Sequence, residues 1–129
     1  MSSSVWYVVF DCPDPRKTAE FWAEVLGYRI DAPNEYIGEV LLHDPKGAGQ
    51  PLGFMKVPEP KVVKNRVHID LQPDGHMEEE VERLVTLGAT VVETRQDPDE
   101  GYVDPTIWTV MLDPDGNEFC VIEELSRRA

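Results

Sequence analysis

Residues 8–28, VVFDCPDPRKTAEFWAEVLGY, combine the signals of a strand, a turn and a helix in that order. The first residues are β-branched or aromatic, as is typical of strands, and CPDP then interrupts the pattern. Asp14 suits the N-cap of a helix and Pro15 its first turn. Trp22 and later apolar residues recur at helical spacing, and Gly27 is a typical terminator. The stretch therefore predicts a strand followed by a helix that begins at Pro15 and ends at Gly27.

The second half of the chain repeats this order after a linker over about 58–65. LLHDPKG at 41–47 corresponds to VMLDPDG at 110–116, and the 61 positions that separate Gly27 from Gly88 also separate Tyr7 from His68. The predicted strands are 5–11, 27–31, 38–43, 52–57, 66–71, 89–95, 106–112 and 117–123, and the second helix covers about 76–87. Such a repeat is typical of a duplicated unit. We expect two tandem βαβββ modules, about 5–57 and about 66–124, within a single domain over 1–129.

Strand alternation divides the first strand of each module between two faces. The residues expected to face the helices are Trp6, Val8, Phe10, Val67, Ile69 and Leu71. The opposite face receives Tyr7, Val9, His68 and Asp70. Because each helix covers only one face of a small sheet, the second set needs a ligand or a partner. The sequence thus predicts an α+β fold in which a curved mixed sheet surrounds a concave cavity.

The charge balance excludes several kinds of partner. The chain has 12 basic and 25 acidic residues, a net charge of −13, so phosphate backbones and anionic membranes are repelled. The acidic surface either confers solubility or attracts cationic ligands. No stretch approaches the roughly 20 apolar residues of a membrane span and no export signal is visible, so a soluble, cytoplasmic protein is expected. Two cysteines, Cys12 and Cys120, do not form a disulfide framework.

Three segments together resemble a known superfamily: VVFDCPDPRKTAEFWAEVLGY, RVHIDL and VMLDPDGNEFCVIE. They are similar to the vicinal oxygen chelate superfamily, which includes glyoxalase I, the bleomycin-resistance proteins and the extradiol dioxygenases, and most of all to small glyoxalase-like proteins common in actinobacteria. The likeness covers about residues 5–124. It implies a glyoxalase-like fold and a homodimer. It implies no single reaction, because the superfamily contains isomerases, lyases, dioxygenases, thiol transferases and pure binders.

The resemblance also implies where a divalent metal would bind in catalytic members. His68 matches a family ligand, whereas Tyr7 stands where His, Gln or Glu is usual and Cys120 stands where Glu is usual. Phe54, or one of its neighbours, occupies the fourth position. The metals of these enzymes prefer imidazole and carboxylate, and zinc would need Cys120 deprotonated and a further ligand. We therefore expect no complete metal site, with His68 as the one retained ligand if a metal binds.

The candidate pocket residues are Tyr7, Phe54, His68, Asp70, Trp108 and Cys120. His68 is a structural histidine bonded to Asp70 or to a neighbouring strand, a polar group of a metal-free pocket, or a catalytic general base. Trp108 either packs in the core or forms a wall on which a flat ligand stacks, and Cys120 is either an inert apolar residue or a nucleophile. His43 and His76 are expected at the surface.

Two functions are consistent with these residues. The favoured one is binding of a small molecule in the cavity without a complete metal site, for example sequestration of a cationic compound as in bleomycin resistance. The alternative is a glyoxalase-type lyase or isomerase that acts on a small oxygenated metabolite with a divalent metal.

Overall fold

The chain folds into two compact units, Met1–Val62 and Val63–Ala129. The boundary between them falls inside the linker predicted over about 58–65. The computed structural model describes residues 1–31, 38–98 and 100–128. Each unit contains one main helix and a four-stranded mixed sheet, so the α+β fold with two βαβββ modules is confirmed.

The N-terminal module contains five elements. They are β1 (Val8–Cys12), α1 (Pro15–Leu26), β2 (Arg29–Ile30), β3 (Glu39–His43) and β4 (Leu52–Lys56). The strand order is β1-β4-β3-β2, with β1 parallel to β4 and the other pairs antiparallel. The first strand of the module is thus hydrogen-bonded to the last.

The predicted caps of α1 are confirmed. The Asp14 carboxylate accepts a hydrogen bond from the backbone N–H of Lys17, which otherwise has no partner within the helix. Pro15 opens the first turn. Gly27 ends the helix at φ 68°, a left-handed conformation that glycine adopts without steric cost.

The core of the N-terminal module lies between α1 and one face of its sheet. Trp22 of α1 is fully buried, and its ring centroid lies 5.9 Å from that of Phe10 on β1. Phe54 on β4 is directly opposite Phe10, is also fully buried, and has its ring centroid 5.3 Å away. The helix-facing orientation predicted for Phe10 is confirmed. Phe54, expected in the pocket, instead lies in the core beneath α1.

The C-terminal module repeats the arrangement. Its elements are β5 (Ile69–Leu71), α2 (Met77–Thr86), β6 (Thr90–Gln96), β7 (Thr106–Leu112), β8 (Glu118–Glu124) and a 3₁₀ helix (Leu125–Arg128). The strand order β5-β8-β7-β6 again pairs the first strand with the last in parallel. Among the described residues, no helix is both long enough and apolar enough to cross a membrane.

A buried carboxylate connects β8 to the start of α2. Glu123 is 1% exposed, and its two oxygens bind His76 Nδ1 at 2.7 Å and the backbone N–H of Met77 at 3.0 Å. Arg128 from the 3₁₀ helix donates to the same carboxylate at 2.8 Å. Glu123 therefore caps α2 from a neighbouring strand. The predicted exposure of His76 is confirmed at 56% of its side chain.

Two apolar residues expected to face the helices are exposed instead. Trp6 is 77% exposed and Val67 is 78% exposed. Both precede their strands, because β1 begins at Val8 and β5 at Ile69, three residues later than predicted. Alternation fixes side-chain direction only where the backbone is paired in a sheet, so the rule does not extend to these two positions.

Candidate functional site

His68 and Asp70 form a polar pair at the start of the C-terminal module. His68 immediately precedes β5, and Asp70 is the middle residue of that strand. His68 lies outside the paired strand, so alternation alone does not fix its direction, but its contact with Asp70 shows that the two side chains project to the same side. His68 Nε2 lies 3.2 Å from Asp70 Oδ1, and the side chains are 44% and 52% exposed. The contact that one interpretation of His68 requires is therefore present, and it lies at the surface.

Cys120 on β8 completes a cluster with this pair. The parallel ladder between β5 and β8 places Cys120 directly beside Asp70, so both side chains lie on the same face of the sheet. One potential ligand atom from each of His68, Asp70 and Cys120 lies within 4.8 Å of the other two. We call these three residues the His–Asp–Cys cluster.

The surroundings of Cys120 favour the protonated thiol. Burial raises the pKa of this thiol above its ordinary value, and the negative charge of Asp70 raises it further. A hydrogen bond between the thiol and the Asp70 carboxylate acts in the same direction, while Lys64 partly opposes it. Since the thiolate is the reactive form of cysteine, this environment disfavours Cys120 as a nucleophile.

Trp108 lies on the same face as the His–Asp–Cys cluster. β7 pairs with β8 so that Val110 is opposite Cys120 and Trp108 is opposite Ile122. Thr109, between them, is buried and donates a hydrogen bond to a side chain of α2, which places Trp108 on the face away from the helix. As a diagonal neighbour of Cys120, the half-buried indole is within reach of the cluster. This placement favours the pocket-wall interpretation of Trp108.

The structure places Tyr7 in a different set of contacts, within the N-terminal module. Its phenol oxygen lies 2.7 Å from His43 Nε2. His43, the last residue of β3, also contacts the Asp31 carboxylate through Nδ1 and is only 26% exposed. His43 was expected at the surface, and its side chain is instead largely but not fully buried. The alternation in EVLLH is a signal for the side on which His43 lies. Because Val40 and Leu42 are buried, His43 is directed to the face away from α1.

Comparison with known proteins identifies the family to which the two modules belong. The family model for the glyoxalase-like domain matches residues 7–122. The chain belongs to this family. The resemblance to the vicinal oxygen chelate superfamily is thereby confirmed. No curated protein matches the sequence.

Solved structures share the fold of this glyoxalase-like chain. The fosfomycin resistance protein FosX from Listeria monocytogenes has 19% identity and a TM-score of 0.68, with 100% of both chains covered. A glyoxalase/bleomycin resistance protein/dioxygenase family enzyme from Burkholderia phytofirmans has 22% identity and a TM-score of 0.62, covering 93% of this chain and 98% of the other. A hypothetical protein from S. aureus has 21% identity and a TM-score of 0.63, with 95% and 97% covered. These likenesses concern the fold alone.

The donor atoms of the cluster fit one class of metal better than the others. An imidazole nitrogen, a carboxylate oxygen and a sulfur suit Zn²⁺, which binds three protein ligands and an open fourth position in catalytic sites. Magnesium and manganese prefer oxygen ligands. A bound cation would deprotonate the thiol, but it would have to overcome the raised pKa of Cys120. A zinc ion held by these three residues would bind more tightly at higher pH, because it competes with the proton of Cys120.

Proposed function

We propose that this glyoxalase-like protein binds a cationic small molecule on the face that carries the His–Asp–Cys cluster and Trp108, without a complete metal site. The observation that supports this most directly is the Asp70 carboxylate, which is 52% exposed on the same face as an indole ring. A carboxylate attracts a cation, and an indole face stabilises it further through a cation–π interaction. The net charge of −13 adds long-range attraction.

The other two cluster residues keep Asp70 available to a ligand. His68 contacts one carboxylate oxygen and holds the side chain in place. The Cys120 thiol is a weak donor that leaves most acceptor positions of the carboxylate unused. An ionised carboxylate has about four lone-pair sites, so a ligand ammonium or amidine group can still bind there.

Calorimetric titration with metal-free bleomycin and a set of aromatic ammonium compounds tests this proposal. We expect Asp70→Asn to weaken binding at least about tenfold, because an anionic contact is lost. Trp108→Leu should cost about 0.5–2 kcal/mol, the range of cation–π contacts. Asp74→Asn changes an exposed carboxylate outside the His–Asp–Cys cluster and should bind as the wild type does. Binding that survives both site substitutions would contradict the proposal.

A second candidate is a metal-dependent lyase or isomerase of the glyoxalase type acting on a small oxygenated metabolite. The observation that favours it is the convergence of three donor atoms within 4.8 Å of one another. A FosX variant from Listeria monocytogenes with the same fold was solved with Mn(II) and a dihydroxypropylphosphonic acid. In this chain His68, Asp70 and Cys120 would hold the ion, and a bound zinc would act as a Lewis acid toward substrate oxygens.

Metal analysis of the purified protein distinguishes the two candidates. A ligand present at a hundred times its Kd stabilises the folded state by about 2.7 kcal/mol, which a thermal-shift assay resolves. Our proposal expects substoichiometric metal and no comparable stabilisation by zinc, nickel or manganese. A stoichiometric ion whose stabilisation disappears in Cys120→Ser and His68→Gln would favour the metalloenzyme instead.

A further inference from the structure

The N-terminal module contains a continuous chain of three polar side chains that the proposed function does not use. The Tyr7 phenol oxygen lies 2.7 Å from His43 Nε2, and the two rings meet edge to face, with centroids 5.4 Å apart. His43 Nδ1 contacts Oδ2 of Asp31. The other oxygen of Asp31 accepts a hydrogen bond from Arg29 Nε at 3.0 Å. A phenol, an imidazole and a carboxylate are thus connected in series.

The connections determine where the protons lie. His43 Nδ1 lies in ion-pair contact with the Asp31 carboxylate without the geometry of a regular hydrogen bond, and the negative charge favours the imidazole tautomer whose proton is on Nδ1. In the neutral imidazole, Nε2 is then an acceptor, and it faces the Tyr7 hydroxyl. The hydrogen bond from Arg29 is the main cause that lowers the pKa of Asp31, and burial opposes it. The carboxylate therefore stays ionised at neutral pH.

We propose that Asp31, His43 and Tyr7 form a proton relay that activates the Tyr7 phenol as a nucleophile toward small acyl esters. The order of groups is that of nucleophile, base and orienting carboxylate in hydrolytic triads, with a phenol in place of the hydroxyl. Tyr7 and His43 are the catalytic residues of this site. Asp31 is a positioning residue, because it acts through the imidazole.

The chemical step can be written with p-nitrophenyl acetate as the ester. Tyr7 Oη forms a bond to the acetyl carbon, and its proton passes to His43 Nε2. The bond to the leaving oxygen breaks, p-nitrophenolate departs as an anion, and His43 later releases its proton to solvent. Acetyl-Tyr7 remains and is located by mass spectrometry of peptides.

Two other tyrosines of the chain serve as internal controls. Burial raises the pKa of Tyr28, and the negative charge of Asp44 raises it further, so this phenol should react slowly. Tyr102 is 52% exposed and reports the rate of an accessible phenol. General base catalysis contributes about 10²–10⁴-fold, so we expect Tyr7 to be acetylated at least about tenfold faster than Tyr102. Tyr7→Phe should remove the early release of p-nitrophenolate.

Substitution of His43 separates a relay from a simple anchoring contact. In His43→Gln the amide oxygen still accepts a hydrogen bond from Tyr7 but takes no proton. If His43 acts in a relay, acetylation of Tyr7 in His43→Gln should fall to the rate of Tyr102, with the circular dichroism spectrum unchanged. Added imidazole should restore the reaction in His43→Gly, because it supplies the missing base. If His43 only anchors Tyr7, we expect neither the loss of acetylation in His43→Gln nor the rescue by imidazole in His43→Gly.

Substitution of Asp31 tests the relay without changing the imidazole, and it decides the question if His43→Gln does not fold. The side-chain amide introduced by Asp31→Asn can donate to Nδ1, which moves the imidazole proton to Nε2 and removes the base from Tyr7. Acetylation of Tyr7 should then fall to the rate of Tyr102. The proposal is overturned if wild-type Tyr7 reacts no faster than Tyr102, or if Tyr7 reacts equally fast in both the Asp31→Asn and the wild-type protein.

Discussion

Glu123→Gln should strongly destabilise the C-terminal module. The carboxylate is 1% exposed and accepts from the Met77 N–H, His76 and Arg128. The amide oxygen of glutamine can take the place of Oε2, which accepts from both Met77 and Arg128, but the contact with His76 and the negative charge are lost. Each hydrogen bond to a charged group is worth about 1.5–3 kcal/mol, but His76 and Arg128, 56% and 32% exposed, partly regain water. We therefore expect the free energy of unfolding to fall by about 2–3 kcal/mol, below the roughly 3–5 kcal/mol of a fully buried broken pair.

The loss of unfolding free energy in Glu123→Gln should also depend on pH. Burial alone would raise the pKa of Glu123, but hydrogen bonds from His76 and the Met77 N–H, with the charges of His76 and Arg128, outweigh it and lower the pKa. A carboxyl whose pKa is lower in the folded state stabilises fully above its unfolded pKa, about 4.3 for Glu, and this stabilisation disappears as the pH falls through the folded value. The difference between wild type and variant should therefore narrow below about pH 4.

Urea unfolding followed by far-UV circular dichroism measures the effect, as a shift of the midpoint at constant slope. Glu78→Gln is the matched control, since Glu78 also binds Arg128 but is 54% exposed. Exposed ion pairs contribute about 0–1 kcal/mol, so this control should lose less than about 1 kcal/mol. Equal losses in the two variants would refute the reasoning, because burial of Glu123 would then have no energetic consequence.

Three further outcomes are expected. Phe54→Ala should cost about 3–5 kcal/mol in urea unfolding, because it empties a fully buried site beneath α1; a loss below about 1 kcal/mol would contradict the placement of Phe54 in the core. Alkylation of Cys120 by iodoacetamide should be faster in Asp70→Asn, because the charge of Asp70 raises the pKa of the thiol; an unchanged rate measured by mass spectrometry would argue against that cause. Asp14→Ala should destabilise by about 1 kcal/mol and Asp14→Asn by much less, since asparagine also caps helices; thermal unfolding of the two variants distinguishes a capping role from a general charge effect.

The elements with strong local signals were predictable from the sequence. Asp14, Pro15 and Gly27 determine the ends of α1 through caps that depend only on neighbouring residues. β7 was predicted over 106–112 and is observed at Thr106–Leu112. The face occupied by Phe54 was not predictable, because it depends on the register between β1 and β4. No short connection fixes that register, and the turn that precedes β4, at 44–51, is irregular.

The two polar clusters also differ in how far they could be predicted from the sequence. His68 and Asp70 lie two residues apart on one extended segment, so alternation alone predicted that they share a face. Asp31 follows β2, His43 is the last residue of β3, and Tyr7 precedes β1. The contact among these three residues depends on three chain segments at once. A one-residue slip in the strand pairings that connect β1, β4, β3 and β2 would separate them. No short-range pattern contains that information.

The parallel pairing of β5 with β8 has a consequence for how this protein can change over time. Backbone hydrogen bonds hold positions 70 and 120 side by side, whatever side chains they carry. Substitutions at 68, 70 and 120 therefore exchange one set of donor atoms for another without new loops or a new register. A lineage with this sheet can therefore vary the chemical character of this face through a few single-residue steps on an unaltered scaffold.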